Sequence, residues 1–213
     1  METHQDARIR ELEAALERKS TLLREIDHRV KNDLQLISSL ILLQSRRVED
    51  EVARHALKTI LARVSAVATV HRRLSLGEDS QRFDVAACIR DLAGHLALAA
   101  GRNDVRITLD LDPVTIPAPA AAPLALVANE LLGNALKHAF PPGRGGVIAI
   151  GLTEADGACV LTISDDGQGM GEAKKAFGLT IVGLLCQQLR AGLEVASDGP
   201  GVRAVVRAPM RLA

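Results

Sequence analysis

The sequence predicts an α+β chain in which an N-terminal helical hairpin precedes an α/β sandwich domain. Over the first third, apolar residues recur in steps of three and four, as on one face of a helix. Strand-like and helical segments then alternate, and most of the strands follow one another through short turns. The 213 residues include no Trp, no Tyr and three Phe, so the core must be built from Leu, Val, Ile and Ala. This length suits one or two domains.

The hairpin is expected over residues 1–76. Apolar steps run from Ile9 to Ile41, "QSRRVEDE" reads as a polar turn, and a second helix extends from about Glu49 to Leu74. One hairpin cannot cover the apolar stripes of both helices. A second copy is therefore expected to complete a dimeric four-helix bundle. The apolar positions of the second helix are Leu57, Ile60, Val64, Val67, His71 and Leu74.

The second domain is expected over residues 85–213, after a linker at 77–84. Asp84 is a candidate cap for a helix that ends at Ala100. "PAPAAAP" reads as a loop before a long helix that starts near Pro123, and "ADG" is a hairpin turn between two strands. The predicted strands are "VRITLDL", "GVIAIGLTE", "ACVLTISDD", "GLEVAS" and "GVRAVVRAP", with a partly helical segment over 174–190.

Composition excludes several classes of function. Lys plus Arg and Asp plus Glu both number 26, which gives no electrostatic footprint for nucleic acid or an anionic membrane. No uncharged run is long enough to span a bilayer, and early charged residues interrupt any signal sequence, so we expect no membrane insertion. The three cysteines have no C-x-x-C spacing, which is typical of buried, reduced thiols in a cytoplasmic protein.

His28 is the first candidate for chemistry. On a helix, Ile26 and Val30 belong to one side, whereas His28 and Asn32 belong to the opposite side. A neutral imidazole on an exposed face is a competent nucleophile near pH 7. The helix alone does not separate this interpretation from an ordinary exposed histidine.

Two glycine-containing or polar segments are candidates for a nucleotide site. "NELLGNALKH" places Glu130, Asn134, Lys137 and His138 on one predicted helical stripe, where an acid and an amide could hold Mg²⁺ and its waters against a triphosphate. In "SDDGQGM", Asp165 follows a strand and could accept a hydrogen bond from an adenine amino group. A solvated polar face and a plain turn are the respective alternatives. The small residues of the site are Gly167 and Gly169, which permit close approach of a ligand, and Gly178, at a helix start suited to phosphate.

The order of these segments resembles a known family. "HRVKNDLQLISSLILLQSRR" is similar to the phosphoacceptor and dimerisation segment of two-component sensor histidine kinases, in the branch close to the HWE kinases. "NELLGNALKHAFP", "DDGQGM" and "GLTIVGLL" resemble the N, G1 and G2 boxes of the ATP-binding domain shared by gyrase, the Hsp90 chaperones, histidine kinases and MutL. The resemblance covers about Lys19 to Pro209.

The resemblance implies a role for individual residues. His28 matches the phosphorylated histidine, Asn32 a position that affects phosphatase activity, and Glu130 the acidic position before the Mg²⁺-binding Asn134. Asp165 matches the adenine-binding aspartate. The other implied nucleotide contacts are Lys137, His138, Gly167, Gly169, Met170, Gly178, Leu179 and Thr180.

The sequence departs from the family pattern at several positions. Arg29 follows His28 where relatives have an acidic residue, and Asp27 precedes it, so the base that serves His28 is not identified. No Trp is present for the W-x-E signature, and Thr180 stands where a second glycine is common. A short lid over 170–177 offers Lys174 and Lys175 as phosphate contacts.

The resemblance implies an ATP- and Mg²⁺-dependent protein-histidine kinase. It would phosphorylate itself on His28 and pass the phosphoryl group to an aspartate on a response-regulator receiver domain. We expect a cytoplasmic homodimer controlled by an unidentified upstream sensor protein or domain. One alternative is a histidine phosphotransferase with a vestigial ATP-binding domain, although Asn134 and Asp165 are intact. The other is an ATP-dependent serine kinase acting as an anti-sigma factor, which would lack the phosphoacceptor hairpin.

Overall fold

The computed structural model describes residues 4–76, 81–169, 177–197 and 200–210. A long hairpin of two helices precedes a domain that alternates helices and strands, which confirms the α+β fold class. The elements in chain order are α1 (His4–Arg47), α2 (Glu51–Leu76), β1 (Arg82–Asp84), α3 (Val85–Ala100), β2 (Val105–Leu111), β3 (Thr115–Pro117), α4 (Ala118–His138), β4 (Gly146–Ala155), β5 (Ala158–Asp165), α5 (Phe177–Leu189), β6 (Gly192–Ala196) and β7 (Arg203–Pro209).

The predicted hairpin is confirmed. Three residues connect α1 to α2, and the Asp50 carboxylate accepts a hydrogen bond from the Ala53 backbone N–H at 2.6 Å, which caps the start of α2. The two helices pack against each other. Val30, Leu34 and Ile41 are half-buried on α1, as expected for the face that meets α2.

A second apolar stripe of α1 remains exposed. Leu36, Leu40 and Leu43 recur at helical spacing and are 59%, 54% and 55% exposed. Ile26 and Ile37 are exposed as well. For Ile26 this differs from the sequence pattern, which grouped it with Val30, a half-buried residue. No helix in the described part of the chain is long and apolar enough to cross a membrane.

The second domain is a two-layer α/β sandwich, as predicted. Its five-stranded sheet has the order β2-β4-β5-β7-β6, with β2 parallel to β4 and all other neighbours antiparallel. The "ADG" turn is confirmed, because Asp156 and Gly157 both have positive φ values (52° and 72°), as a two-residue hairpin of this kind requires. One sheet face packs under α3, α4 and α5. Its fully buried side chains include Ile148, Ile150, Leu152 and Leu161.

Two short segments differ from the sequence-based expectation. "PAPAAAP" is mostly helical rather than a loop: α4 begins at Ala118, where a proline in the first turn loses no hydrogen bond and alanine strongly favours helix. Residues 82–84, expected within the linker, form β1, which pairs with β3. Asp84 does cap α3, as predicted, by accepting a hydrogen bond from the Ala87 backbone N–H at 2.9 Å.

All three cysteines are free and buried, which confirms the prediction of buried thiols. Burial raises the pKa of Cys88 and of Cys159 to about 12, and it also raises the pKa of Cys186. These thiols are therefore protonated at neutral pH.

Candidate nucleotide site and exposed histidine

An apolar cavity of about 150 Å³ lies between α4, the start of α5 and the sheet. Three polar side chains, Asn134, His138 and Asp165, lie among its walls. Such a combination of apolar walls and a few polar groups is typical of small-molecule sites. The remaining lining residues are Leu131, Ala135, Ala139, Ile163, Gly169, Leu179, Val195, Val202 and Ala204.

Asp165 is fixed at the end of β5. Its Oδ1 accepts hydrogen bonds from the backbone N–H groups of Gly167 (3.0 Å) and Val202 (3.3 Å). Within the described residues, this leaves Oδ2 as the oxygen that a ligand can use. Burial raises the pKa of Asp165, although the two backbone hydrogen bonds oppose that shift.

Glycines allow the chain to approach Asp165 and α4 closely. A Cβ on Gly167 would lie 2.2 Å from the carbonyl oxygen of Ala139, just beyond the end of α4. A Cβ on Gly201 would lie 1.8 Å from the carbonyl oxygen of Asp165, and Gly201 has a φ of 91°. Larger residues at either position would displace the wall that carries Asp165.

The turn after β5 is also tied to α4 by hydrogen bonds. The Gln168 backbone N–H donates to the Ala139 carbonyl at 2.9 Å, and the Gln168 side-chain amide donates to the His138 carbonyl at 2.9 Å. The predicted helix and the predicted glycine turn are thus brought together at one site.

The predicted polar stripe of α4 borders two different surroundings. Asn134 and His138 line the cavity together with Leu131 and Ala135. Glu130 and Lys137 instead contact α2. Asn134 and His138 are one helical turn apart, and Glu130 and Lys137 are two turns apart, so each pair lies on one edge of α4. One edge faces the cavity and the adjacent edge faces the hairpin.

Glu130 forms a two-pronged ion pair with Arg63 of α2. Arg63 Nε donates to Oε1 at 2.8 Å and Nη2 donates to Oε2 at 2.9 Å. The side chains are 6% and 24% exposed for Glu130 and Arg63, respectively. The pair is largely removed from water, and both carboxylate oxygens have a partner.

Lys137 lies on the same edge of α4. Its Nζ donates to Thr59 Oγ1 of α2 at 3.3 Å. Burial lowers the pKa of Lys137, the nearby Glu130 opposes that shift, and the Arg63 charge adds to it. Lys137 therefore belongs to the interface with the hairpin, and it is absent from the cavity wall.

His28 and Asn32 are both exposed on α1, as the helical pattern predicted. Neither lines the cavity, and α1 packs on α2, whereas α2 packs on α4 and α3. Beside His28, Arg29 forms an ion pair with Glu25 one turn earlier. The side chain of Asp27 lies outside the described residues.

The glycine-rich candidates near α5 are described only in part. Met170, Lys174 and Lys175 lie outside the described residues. Gly178, Leu179 and Thr180 form the first turn of α5 after Phe177, and Leu179 contributes to the cavity wall.

Sequence reasoning missed Arg63 and Thr59, and also the cavity-lining Val195, Val202 and Ala204. The last three are apolar strand or strand-flanking residues with no distinguishing pattern. For Arg63, a usable signal was present: a long basic side chain lies one helical turn before the small residue Ala66.

Comparisons with known proteins cover most of the chain. The histidine kinase family model matches residues 25–100, and the histidine kinase-, DNA gyrase B- and HSP90-like ATPase family model matches residues 120–212. The chain is 33% identical to the sensor histidine kinase PdtaS of Mycobacterium tuberculosis over 82% of this chain and 36% of that protein. It is 28% identical to blue-light-activated histidine kinase 2 of Erythrobacter litoralis over 88% of this chain and 57% of that protein.

A solved structure has a similar fold. The blue-light-activated histidine kinase EL346 of Erythrobacter litoralis superposes with a TM-score of 0.64 at 27% identity, covering 90% of this chain and 63% of that one. The chain spans 36% to 57% of the length of the two curated relatives. Within this chain, the match to the histidine kinase model precedes the match to the ATPase model. The chain therefore belongs to the histidine kinase family, as its sequence motifs predicted.

Proposed function

We propose that the chain is the catalytic core of an ATP-dependent protein-histidine kinase that phosphorylates His28. One observation supports this most directly: the half-buried carboxylate of Asp165 and the amide of Asn134 line the same apolar cavity. The same chain presents an exposed histidine on a separate helix. A nucleotide site and a nucleophile on different elements are what intramolecular or intersubunit phosphoryl transfer needs.

The base of ATP enters the cavity in this proposal. Asp165 Oδ2 accepts a hydrogen bond from the adenine amino group, and the apolar walls contact the faces of the ring. Asn134 and His138, which also line the cavity, contact the sugar and phosphates in this proposal. The first turn of α5, with Gly178, Leu179 and Thr180, adds backbone N–H groups that favour negative charge.

The residues around the cavity also fit Mg²⁺. An amide oxygen from Asn134 and a carboxylate one turn earlier, Glu130, are hard oxygen donors of the kind that Mg²⁺ accepts alongside phosphate oxygens and water. When bound, Mg²⁺ neutralises negative charge on the phosphates. In the described arrangement Glu130 is paired with Arg63, so Asn134 is the donor that faces the cavity.

The transfer itself needs an uncharged imidazole. One ring nitrogen of His28 forms a bond to the γ-phosphorus, the bond from that phosphorus to the bridging oxygen breaks, and ADP leaves. The proton on the other ring nitrogen passes to a base or to water. Because His28 lies on α1 and the cavity is lined by α4, α5 and the sheet, the ATP-binding domain must move relative to the hairpin. The proposed hinge is the part of the predicted linker that lies between α2 and β1.

The phosphoryl group then passes from His28 to an aspartate on a response-regulator receiver domain. The exposed stripe of α1 is proposed to form a four-helix bundle with a second copy. Input comes from an unidentified upstream sensor protein or domain, and the reaction takes place in the cytoplasm.

Labelling tests the proposal directly. The purified chain is incubated with Mg²⁺ and ATP labelled on its γ-phosphoryl group, and the label is then exposed to acid and to alkali. We expect a label that is lost in acid and survives alkali, and that is absent from His28→Ala. His55→Ala is the matched control, because His55 is also exposed on a hairpin helix. No label on the wild type, with His28 accepting phosphate from another phosphoprotein, would favour the phosphotransferase alternative.

A further inference from the structure

One face of α2 packs against the nucleotide-binding domain. Thr59, Arg63, Ala66, Val70 and Arg73 recur at spacings of four, three, four and three, which places them on one stripe. Ala66 and Val70 are fully buried, and the other three make polar contacts with α4 or α3. This docking surface is distinct from the exposed stripe of α1.

Two ion pairs border the docking surface, but only one of them reaches the nucleotide site. Arg73 pairs with Asp91 of α3 at 2.8 Å, with both side chains about one-third exposed. Arg63 pairs with Glu130, one helical turn before Asn134 on α4. The Arg63 pair therefore joins the hairpin to the edge of the helix whose neighbouring edge lines the cavity.

The pair occupies Glu130 completely. Arg63 uses a separate nitrogen for each carboxylate oxygen, and Glu130 is nearly inaccessible to solvent. Because both oxygens are paired and the side chain is only 6% exposed, this carboxylate is not positioned to accept a proton from a substrate or to hold a metal-bound water. The Lys137 contact with Thr59 lies about two turns further along α4 and keeps a second polar residue at the same interface.

We propose that Arg63 is a regulatory residue: by pairing with Glu130 it holds the nucleotide-binding domain on α2 and keeps Glu130 out of the phosphoryl-transfer reaction. Separation of α4 from α2 around Arg63 releases both the domain and the carboxylate in one step. The inference rests on the proposed kinase function, because it concerns how often the nucleotide-binding domain is released for phosphoryl transfer.

The location of His28 agrees with an inhibited docked state. His28 is exposed on α1, whereas the domain docks on α2 through buried contacts. The docked domain thus contacts α2, whereas the nucleophile His28 lies on α1. A signal that bends or rotates the hairpin would act first on the α2 contacts.

The first experiment compares wild type, Arg63→Gln and the control Arg72→Gln in the full chain. Arg72 is exposed on the same helix. Loss of a contact that favours one of two states raises the population of the other, so we expect the initial rate of labelling of Arg63→Gln to rise roughly tenfold. Arg72→Gln should label at the wild-type rate. ADP affinity, measured by calorimetry, should change by less than about twofold in both variants because the cavity is intact.

Hydrogen exchange without nucleotide measures the docking independently of catalysis. Backbone amides over 59–70 of α2 and over the Glu130 turn of α4 should exchange faster in Arg63→Gln, while the sheet segment over 158–165 stays protected. If the wild type is never labelled but these amides still respond, the proposed function fails and the docking contact stands.

A second variant reaches the same interface without removing a charge. Ala66 is fully buried on the docking surface, so Ala66→Leu should overpack the contact with the domain and push it away from α2, although neither Arg63 nor Glu130 is substituted. We expect faster exchange and faster labelling here too. Unchanged exchange in both variants, or faster exchange with an unchanged or slower labelling rate, would overturn the inference.

Discussion

The hairpin and the sheet domain differ in the exposure of their large apolar side chains. In the sheet domain, Ile148, Ile150, Leu152 and Leu161 are buried to 2% exposure or less. In the hairpin, the stripe of Leu36, Leu40 and Leu43 is more than half exposed. The domain therefore contains its own hydrophobic core, whereas the hairpin has an apolar face that nothing within the described chain covers.

This difference separates two sources of stability. Burial inside one chain stabilises the domain at any protein concentration. A face covered by a second copy adds stability only when copies associate, so its contribution depends on concentration. The effect of a substitution on stability should consequently depend on protein concentration in the hairpin but not in the sheet domain.

The largest effect is expected from a charge in the exposed stripe of α1. Leu40→Asp should raise the dimer dissociation constant by at least about a hundredfold, because burial of a leucine contributes about 1.5–3 kcal/mol and a symmetric interface loses it twice. Sedimentation equilibrium of the full chain measures this constant. Leu98→Asp, at a highly exposed position of α3, is the control and should leave it unchanged. A Leu40→Asp dimer of wild-type affinity would place the interface elsewhere.

The next effect is expected inside the sheet domain. Leu161→Ala removes a fully buried side chain from β5 and should lower the free energy of unfolding by about 2–5 kcal/mol at every protein concentration. Urea titration followed by circular dichroism at two concentrations checks both statements. Leu184→Ala, on the exposed side of α5, should cost less than about 0.5 kcal/mol. A concentration-dependent loss in Leu161→Ala would contradict the idea of a self-contained core.

A smaller effect is expected at the ligand-facing edge of that core. Asp165→Asn replaces the carboxylate that faces the cavity and should weaken ATP binding roughly five- to a hundredfold, from a penalty of about 1–3 kcal/mol for an unpaired polar group. Asp110→Asn, an exposed position on β2, should bind like the wild type. Calorimetry with Mg²⁺ and ATP gives both affinities. Equal binding by wild type and Asp165→Asn would remove Asp165 from the base-recognition site.

The smallest effect is expected from pH. The pKa of Asp165 is raised by burial, and the ionised form is the one that accepts a hydrogen bond from an adenine amino group. As pH falls through this raised pKa, the ionised fraction decreases, so ATP affinity should start to decline at a higher pH than an exposed aspartate would allow. The decline should be no steeper than about tenfold per pH unit. Asp165→Asn should not share this dependence, and an identical profile in both proteins would assign it to another group.

Local chemistry made much of the fold predictable. Asp84 caps α3 because a side-chain oxygen satisfies an unpaired N–H there, and the turn at Asp156 follows from the backbone angles that Asp-Gly adopts. Segments β1 and β3 are three residues each, too short for any periodic signal. The helical start of α4 was missed because prolines at a helix start resemble those of a loop.

The site was predictable as a set of motifs but not as an arrangement. Asn134 and Asp165 converge on one cavity, as their motifs suggested. The divergence of Glu130 from Asn134 depends on which element packs beside α4, and helical spacing carries no information about that neighbour. The partner is Arg63, from a helix 67 positions earlier in the chain. Only the docking of α2 on α4 determines that Glu130 faces α2 while Asn134, one turn later, faces the cavity.

The burial of the cysteines has a practical consequence for spectroscopy. Thiol reagents attack the thiolate, and at neutral pH almost none forms at Cys88 or Cys159, whose pKa is raised to about 12. Cys186 is buried as well. A cysteine introduced at an exposed position of α1 should therefore take up a maleimide dye or a spin label selectively, with the three native thiols left in place. The natural sequence can thus serve as the background for distance measurements between the hairpin and the nucleotide-binding domain.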